Sequence, residues 1–518
     1  MPAKQRYDKL SSDTRQQFLH RARHNAMLTI PSLMPLEGQN HQSHLIEPYQ
    51  GMGAAAVIHL SSRLTMAMMP AGRPYMRLDL PPEARMETAG EVDIETEKGL
   101  AMSEQLIHLE VERAGWRNSL LQTIQQLLVS GTGCEYLLPD STIRVFRLDQ
   151  FVVRRDHGGA ILELVIKEQF ERDFLPPGLA KVTIPAGSGT GGATDPDEVE
   201  IYTYARRVME KDVLFYRVHQ EIGDTIIKGT EQVFEISDLP YFVHSWSTTP
   251  GEDYGRSKVE EHVGDFRSLE GLEKAMLEQA AMAARNFIMV RPGATGGGLK
   301  NRLTKAYNGD VIIGDPESVE LKTFENSGGY QLTATQVEVI RGSLAKAFVL
   351  QSAGQRDAER VTATEIERDI QELEAALGGN FSALSTSIME GRTRVLIGQM
   401  QKAGKLPGWP KGAVMPTILT GLEALSRERD IARAMQAGQI AAAFGPEALD
   451  VVKVEKILGR AFIGLGFPDA VRTPEETKAL RDQRQQQQVM AEMAAKTVPG
   501  VAKEAVKGAV QQKAQEGS

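Results

Sequence analysis

Few residues in this chain of 518 stand at spacings that could do chemistry. Gly187-Ser188-Gly189-Thr190-Gly191-Gly192 satisfies G-x-G-x-x-G, in which glycines let a backbone approach a pyrophosphate at a helix N-terminus. Here it runs into Ala193-Thr194-Asp195-Pro196-Asp197, which cannot open that helix, so the stretch reads as a Gly-rich loop. No G-x-x-x-x-G-K-S/T exists, which argues against a P-loop ATPase and against a motor. His20 and His24 are four apart on an expected helix and could share a metal. No nearby Cys or carboxylate completes a structural zinc site, and His41 and His44 share that shortfall in a loop. These histidines read as solvated. Cys134 follows Gly131 and Gly133 at an expected strand start and reads as a buried, inert thiol. Pairs such as Glu260–Glu261 lie on a charged helix face, and nothing converges as a triad or a general acid/base set. The expectation is therefore no enzyme, no cofactor and no metal.

Two basic sets remain. Lys300, Arg302 and Lys305 cluster at the tip of an expected helical hairpin. Gln351, Gly354, Gln355, Arg356 and Arg360 belong to a polar loop, QSAGQRDAER. Each set suits a phosphate or an acidic partner, and each also suits an ordinary solvated surface.

The elements that must carry these loops can be read from periodicity. Lys4 to Leu28 reads as a surface helix stopped by Pro31 and Pro35, and Ala54 to Met69 as a small-residue helix. A short strand precedes Pro81 and Pro82. Two helices, Glu91 to Ala114 and Trp116 to Ser130, hinge at Gly115. Leu106, Leu109 and Val111 mark the buried face of the first; Leu120, Ile124, Leu127 and Leu128 mark that of the second. From Cys134 to about Trp246 the period becomes two, which predicts a module of mostly antiparallel strands. Ser257-Lys258-Val259-Glu260 is a capping box opening a proline-free stretch to Arg291, a rod on the order of 50 Å if wholly helical. VIIG and VELKTF read as strands in the segment that follows. Thr333 to Gln336 is a second capping box before a helix with Val337, Ile340, Leu344 and Phe348 on one face. Thr362 to Glu365 opens a long helix with Ile366, Ile370, Leu373, Leu377, Phe381, Leu384 and Ile388, weakened at Gly378-Gly379. After Pro407 and Pro410 the remainder reads as helical: 422 to 443, 447 to 465, and from Thr473 a polar tail that is a loosely packed helix or disordered.

Composition bounds the reading. The length allows about three domains. Hydrophobic residues at 41% and charged residues at 25% exclude a mostly disordered chain. The best membrane candidate, Ala54 to Met69, is broken by His59 and Arg63. MPAKQRYDKL lacks an apolar core and does not read as a secretory signal. One cysteine excludes an intrachain disulfide and suits a reducing compartment. A net charge of -9 argues against tight DNA binding by a single chain and leaves open a protein that handles DNA without holding it; composition alone names no function.

Several long strings then resemble one family. They are TIPSLMPLEG (29–38), YQGMGAAAVIHLSSRLTMAMMPAGRPYMRLDL (49–80), YGRSKVEEHVGDFRSLEGLEKAM (254–276), NRLTKAYNGDVIIG (301–314), AFVLQSAGQRDAERVTATEI (347–366) and PTILTGLEAL (416–425). In this order they resemble the portal, or head-to-tail connector, proteins of short-tailed, podovirus-type bacteriophages. The Gly-rich loop at 186–194 and the tail past about 470 depart from the pattern.

The resemblance implies an α+β chain assembled as a ring of twelve. It implies a mixed wing over 1–253, a stem of 254–290 and 333–350, and a clip at 291–332. A tunnel loop at 351–361 leads to a long helix and a return to the wing over 362–421, then a helical crown and tail over 422–518. It further implies a channel for double-stranded DNA at one capsid vertex of the virion, assembled in the host cytoplasm. The implied partners are a terminase, capsid or scaffold proteins, and tail or internal core proteins, with no membrane. Gln355, Arg356 and Arg360 would then approach DNA, with Gln351 and Gly354 in the same tunnel loop, and Lys300, Arg302 and Lys305 would meet a clip partner or DNA. The competing readings are a helical scaffold or adaptor without a channel, and an enzyme whose site is not visible.

Overall fold

The computed structural model describes residues 1–39, 43–70, 74–81, 94–171, 198–283, 287–290, 319–322, 327–350, 372–377, 380–409, 414–419, 470–472 and 474–497, with single positions 305, 436, 439, 459 and 462. The chain divides into two units. The first comprises Met1–Met76, Ile107–Gly408 and Pro416–Leu422; the second comprises Arg77–Leu106, Trp409–Met415 and Glu423–Ser518.

In chain order the elements begin with helices α1 (Ala3–Leu10), α2 (Gln16–Met27) and α3 (Met52–Met68), strand β1 (Met76–Asp79), and helices α4 (Ile94–Arg113) and α5 (Trp116–Ser130). The strand module holds β2 (Thr132–Leu137), β3 (Ile143–Phe146), β4 (Phe151–Arg155), β5 (Ile161–Glu171), β6 (Glu198–Glu210), β7 (Val213–Ile222), β8 (Thr225–Ile226), β9 (Gln232–Glu235) and β10 (Tyr241–Ser245). Then come α6 (Lys258–Glu261), α7 (Val263–Ala283), β11 (Phe287–Val290), β12 (Val319–Lys322), α8 (Ser327–Ala347), α9 (Asn380–Lys402), β13 (Met415–Ile418) and α10 (Pro474–Thr497).

The expected antiparallel module forms two sheets. One has the order β10-β2-β3; the other runs β4-β5-β6-β7-β8, with β9 also paired to β7. Lys211 and Asp212, both at positive φ, make the two-residue turn between β6 and β7, the left-handed pair that matches strand twist in a tight hairpin. Tyr136 and Tyr241 stack across β2 and β10 with ring centroids 4.4 Å apart. α5 packs against α2, α3 and β2, and its Leu120, Ile124, Leu127 and Leu128 are all fully buried as their spacing predicts. Each such side chain contributes about 1.5–3 kcal/mol on burial.

The N-terminal helix differs from expectation. α1 continues through a π-helical turn, Ser11–Arg15, into α2, so the helical span holds. It is not merely a surface helix: Ala3, Tyr7 and Leu10 pack with Val152, Val165, Tyr202 and Tyr204 of the larger sheet. The polar sequence conceals this because Arg15 is itself buried. Its Nη1 donates to the Tyr7 hydroxyl (2.8 Å) and to the carbonyls of Asp149 (2.9 Å) and Phe151 (3.0 Å).

In α4 the expected buried face is out of phase. Leu106 and Leu109 are exposed, while Leu100, Ser103, Ile107, Glu110 and Val111 form the buried stripe. The hinge at Gly115 is as expected, with φ +67° between α4 and α5.

α6 opens on the expected cap, with the Glu260 N–H donated to Ser257 Oγ at 3.0 Å. The single rod does not form. α7 ends at Ala283, and Phe287-Ile288-Met289-Val290, which holds three strong β-formers in Phe287, Ile288 and Val290, instead pairs antiparallel with Val319–Lys322. α8 starts at Ser327, so Thr333 caps nothing; its hydroxyl donates back to Gly329 O at 2.9 Å, as a mid-helix threonine does. VELK is a strand as expected, and VIIG lies outside the described residues.

In the second unit, Leu78 N–H donates to Glu104 Oε1 at 2.9 Å. Its α10 is an exposed helix over 476–490 apart from partly covered Thr477 and Leu480, which is the loosely packed form of the two expected; residues 498–518 of the polar tail lie outside the described residues. Among the described residues no helix is long and apolar enough to cross a membrane.

Candidate functional site: the joint between α8 and the helix that follows

Gln351, Gly354, Gln355, Arg356 and Arg360 lie outside the described residues, as do Lys300 and Arg302. Lys305 is a helical, exposed position. The described structure therefore speaks to what holds the ends of the 351–371 segment.

The leading end is a Schellman turn closing α8. Leu350 N–H donates to Ala345 O at 2.8 Å, and Val349 N–H to Lys346 O at 3.2 Å. This places Val349 in the left-handed region at φ +57°, where glycine is usual and a β-branched residue costs about 1–2 kcal/mol. Two side chains one turn apart on α3 converge on its carbonyl. His59 Nε2 is 3.2 Å away and donates as the Nε2–H tautomer; Arg63 Nη1 donates at 3.1 Å.

The same guanidinium holds the trailing end. Arg63 Nη2 donates to Glu372 Oε2 at 3.2 Å. One side chain thus touches the last turn before residue 351 and the first described residue after 371. The start of α3 is gripped from another direction: the Tyr49 and Gln50 N–H groups donate to the Glu270 carboxylate of α7, at 3.0 and 3.2 Å.

α7 and α8 pack against each other in antiparallel fashion. Fully buried Phe348 lies edge-on to Phe266, centroids 5.6 Å apart, and to His262 at 5.7 Å. Seven residues further along each helix, in opposite directions, Arg341 donates to Glu273 Oε1 through Nε (3.2 Å) and Nη2 (2.8 Å).

Beyond Glu372 the expected stripe of Leu373, Leu377, Phe381, Leu384 and Ile388 is buried. α9 is then pinned to the β2 sheet. Arg392 Nε donates to Glu135 Oε2 at 2.7 Å, and Nη2 donates to Oε1. The Thr123 hydroxyl donates to the same carboxylate, and the Trp116 ring lies 5.9 Å from the Arg392 guanidinium carbon. Burial pushes the Glu135 carboxyl up, but the charges of Arg392 and His244 outweigh it and hold the group well below the usual carboxylate range.

The other candidates resolve locally. His24 Nε2 accepts from Arg267 Nε at 2.6 Å, and burial, then Arg267, lower its pKa. It is a partner of Arg267 rather than a solvated histidine. Among the described residues no group of three or more His, Cys, Asp or Glu could hold a metal ion. Cys134 is buried as expected; burial and then the Glu135 charge push its thiol up, away from reactivity.

Sequence reasoning missed His59, Arg63, Val349, Glu372, Glu135 and Arg392. Only His59 and Arg63 left a trace, as the two ionisable residues, at i, i+4, in a helix of small and mostly apolar residues. Among the described residues the arrangement offers no nucleophile and no proton relay. What it can do is hold the two ends of a polar segment at fixed spacing on a buried frame.

The model of the family described as "Bacteriophage head to tail connecting protein" matches residues 2–472. The chain belongs to that family. It is 33% identical to the portal protein of Enterobacteria phage T3 over 489 residues, covering 92% of this chain and 89% of that one. It is 32% identical to the portal protein of Escherichia phage T7 over 516 residues, covering 97% and 94%. A chain from the neck of an empty gene-transfer-agent (GTA) particle computed with C6 symmetry aligns at 14% identity and a TM-score of 0.37, covering 75% of this chain and 87% of that one. That structural likeness is too slight to carry an argument.

Proposed function

We propose that this chain is a portal subunit. Copies of it close into a ring, twelve by the family resemblance, at one vertex of a capsid. Double-stranded DNA passes through the hole during packaging and again during ejection. The observation that carries this reading is membership of the connector family across residues 2–472.

The parts then take roles. Residues 1–253 form the wing, 254–290 and 333–350 the stem, and 291–332 the clip, where a terminase and later tail proteins dock. Residues 351–361 form the tunnel loop, and 422–518 the crown and tail. Capsid or scaffold proteins and internal core proteins are further partners. The subunit is no enzyme: a separate terminase supplies the energy, and the ring is a passive conduit located in the virion after assembly in the host cytoplasm.

The charge suits this role. Twelve chains at -9 each carry -108 in total. A strongly basic lining would hold phosphates tightly and with steep salt dependence. A mostly acidic ring with a few basic circles lets DNA slide. Gln355, Arg356 and Arg360 are the residues placed to meet DNA, with Gln351 and Gly354 in the same loop. Lys300, Arg302 and Lys305 meet a clip partner or DNA.

The test is packaging itself. Proheads assembled with this protein should protect a full genome from nuclease when terminase and ATP are added, and proheads assembled without it should protect none. Equal protection in both would overturn the portal reading.

A further inference from the structure

We propose that Arg63 is a positioning residue for DNA passage. By binding the Val349 carbonyl and the Glu372 carboxylate together, it sets the spacing between the two ends of segment 351–371. Through the start of α3 that spacing is tied to α7. The inference rests on the portal reading, in which Arg356 and Arg360 of that segment meet DNA.

Three observations carry it. First, Arg63 stands in a helix of small and apolar residues, and only 11% of its side chain is exposed. Guanidinium groups are rarely covered unless they are paired. Here the fork uses separate nitrogens, Nη1 at 3.1 Å and Nη2 at 3.2 Å, for acceptors more than twenty residues apart in sequence. Second, Val349 holds a left-handed backbone that a β-branched residue adopts only when its surroundings force it. His59 and Arg63 close on that carbonyl from one helix face. Third, the same helix starts on Glu270 of α7. A shift of α7 against α8 therefore reaches Arg63, and through it both ends of the segment. A lysine has the charge but a single ammonium, so it can satisfy one acceptor well and not both in this geometry.

The experiment uses the full chain assembled as rings, with Arg63→Met, Arg63→Lys, Glu372→Ala and the double variant Arg63→Met/Glu372→Ala. Ring mass and melting temperature are measured beside nuclease-protected DNA per prohead. Arg63→Met should leave ring mass and melting nearly unchanged while protected DNA falls about tenfold, the size of one lost charge-assisted hydrogen bond. Arg63→Lys should be intermediate. Glu372→Ala should lower packaging, and the double variant should be no worse than Arg63→Met, as expected for one shared interaction.

Wild-type packaging in intact Arg63→Met rings overturns the proposal. So does a loss that merely follows ring melting across the series, because Arg63 would then be structural only. If Arg63→Met fails to assemble, Glu372→Ala decides alone, since that side chain is 42% exposed and tolerates truncation; unchanged packaging in it overturns the proposal. Failure of wild-type rings to package DNA is seen before any variant and strikes the portal reading instead.

Discussion

Arg392 and Glu135 meet with neither side chain exposed, joining α9 to β2 across 257 residues of sequence. Burying two charges is costly, and their attraction compensates only when the geometry is good and further hydrogen bonds complete it. Thr123 supplies one to the carboxylate, and Trp116 offers its ring to the guanidinium. The pair therefore fixes where α9 lies on the sheet.

Removing one partner should be severe. Arg392→Met leaves Glu135 buried and unpaired, and should destabilise the fold by about 3–5 kcal/mol. The double change Arg392→Met/Glu135→Leu should recover most of that loss. Denaturant unfolding of the three proteins checks this, and a double variant as weak as the single one would contradict it.

Acid should loosen the same region. The hydrogen bond from Arg113 is the largest cause holding Glu110 down, against burial, with Ser141 and Lys405 adding to it; the group titrates at about 2 against an ordinary 4.5. Glu135 is also held below its ordinary value. Because both folded pKa values are depressed, the unfolded chain takes up protons first. The stability they contribute is complete above about pH 5 and is lost as pH falls below 4.5, for Glu110 toward about 2. Glu110→Gln should flatten the melting temperature against pH in that window. An unchanged slope would remove Glu110 from the account.

The strongly periodic elements were legible in the sequence, and the buried charges were not. The stripe on α5 and the run from Leu373 to Ile388 could be read because several apolar residues fix a helical phase. In α4 three apolar residues did not, and the phase fell on Leu106 and Leu109 instead of Ile107. Phe287 continues a helical pattern on paper, yet its partner strand at Val319–Lys322 decides otherwise. The burial of Arg15, Arg63 and Arg392 left no sequence signal because their acceptors lie far away in sequence, at Asp149, Val349 and Glu135. The joint at Val349 carried no glycine to announce it.

Two glycines with the same backbone habit should respond differently. Gly115 and Gly131 both have left-handed φ, at +67° and +81°. A Cβ on Gly115 meets nothing within 4 Å, so Gly115→Ala should cost about 1–2 kcal/mol of backbone strain alone. A Cβ on Gly131 would press into the Gly255 carbonyl and the Ser257 N–H, so Gly131→Ala should cost about 3 kcal/mol or more. Thermal melts of the two variants compare these costs directly; equal losses would show that the Gly255 contact yields easily.

Reversing the loop charges should separate assembly from transport. Arg356→Glu with Arg360→Glu should leave rings intact and cut packaged or retained DNA by about tenfold, because the phosphate contacts become repulsive. Packaging and retention at the wild-type level would take these two arginines out of the DNA path.

The central claim is that this chain closes into a channel. The direct measurement is the mass of the purified protein by light scattering, together with negative-stain images of the same sample. A ring with a central hole and a mass of twelve times 56.9 kDa, about 683 kDa, is the expected result, and a neighbouring subunit number keeps the function. A stable, folded monomer or dimer with no ring would contradict the conduit and return the chain to the adaptor reading.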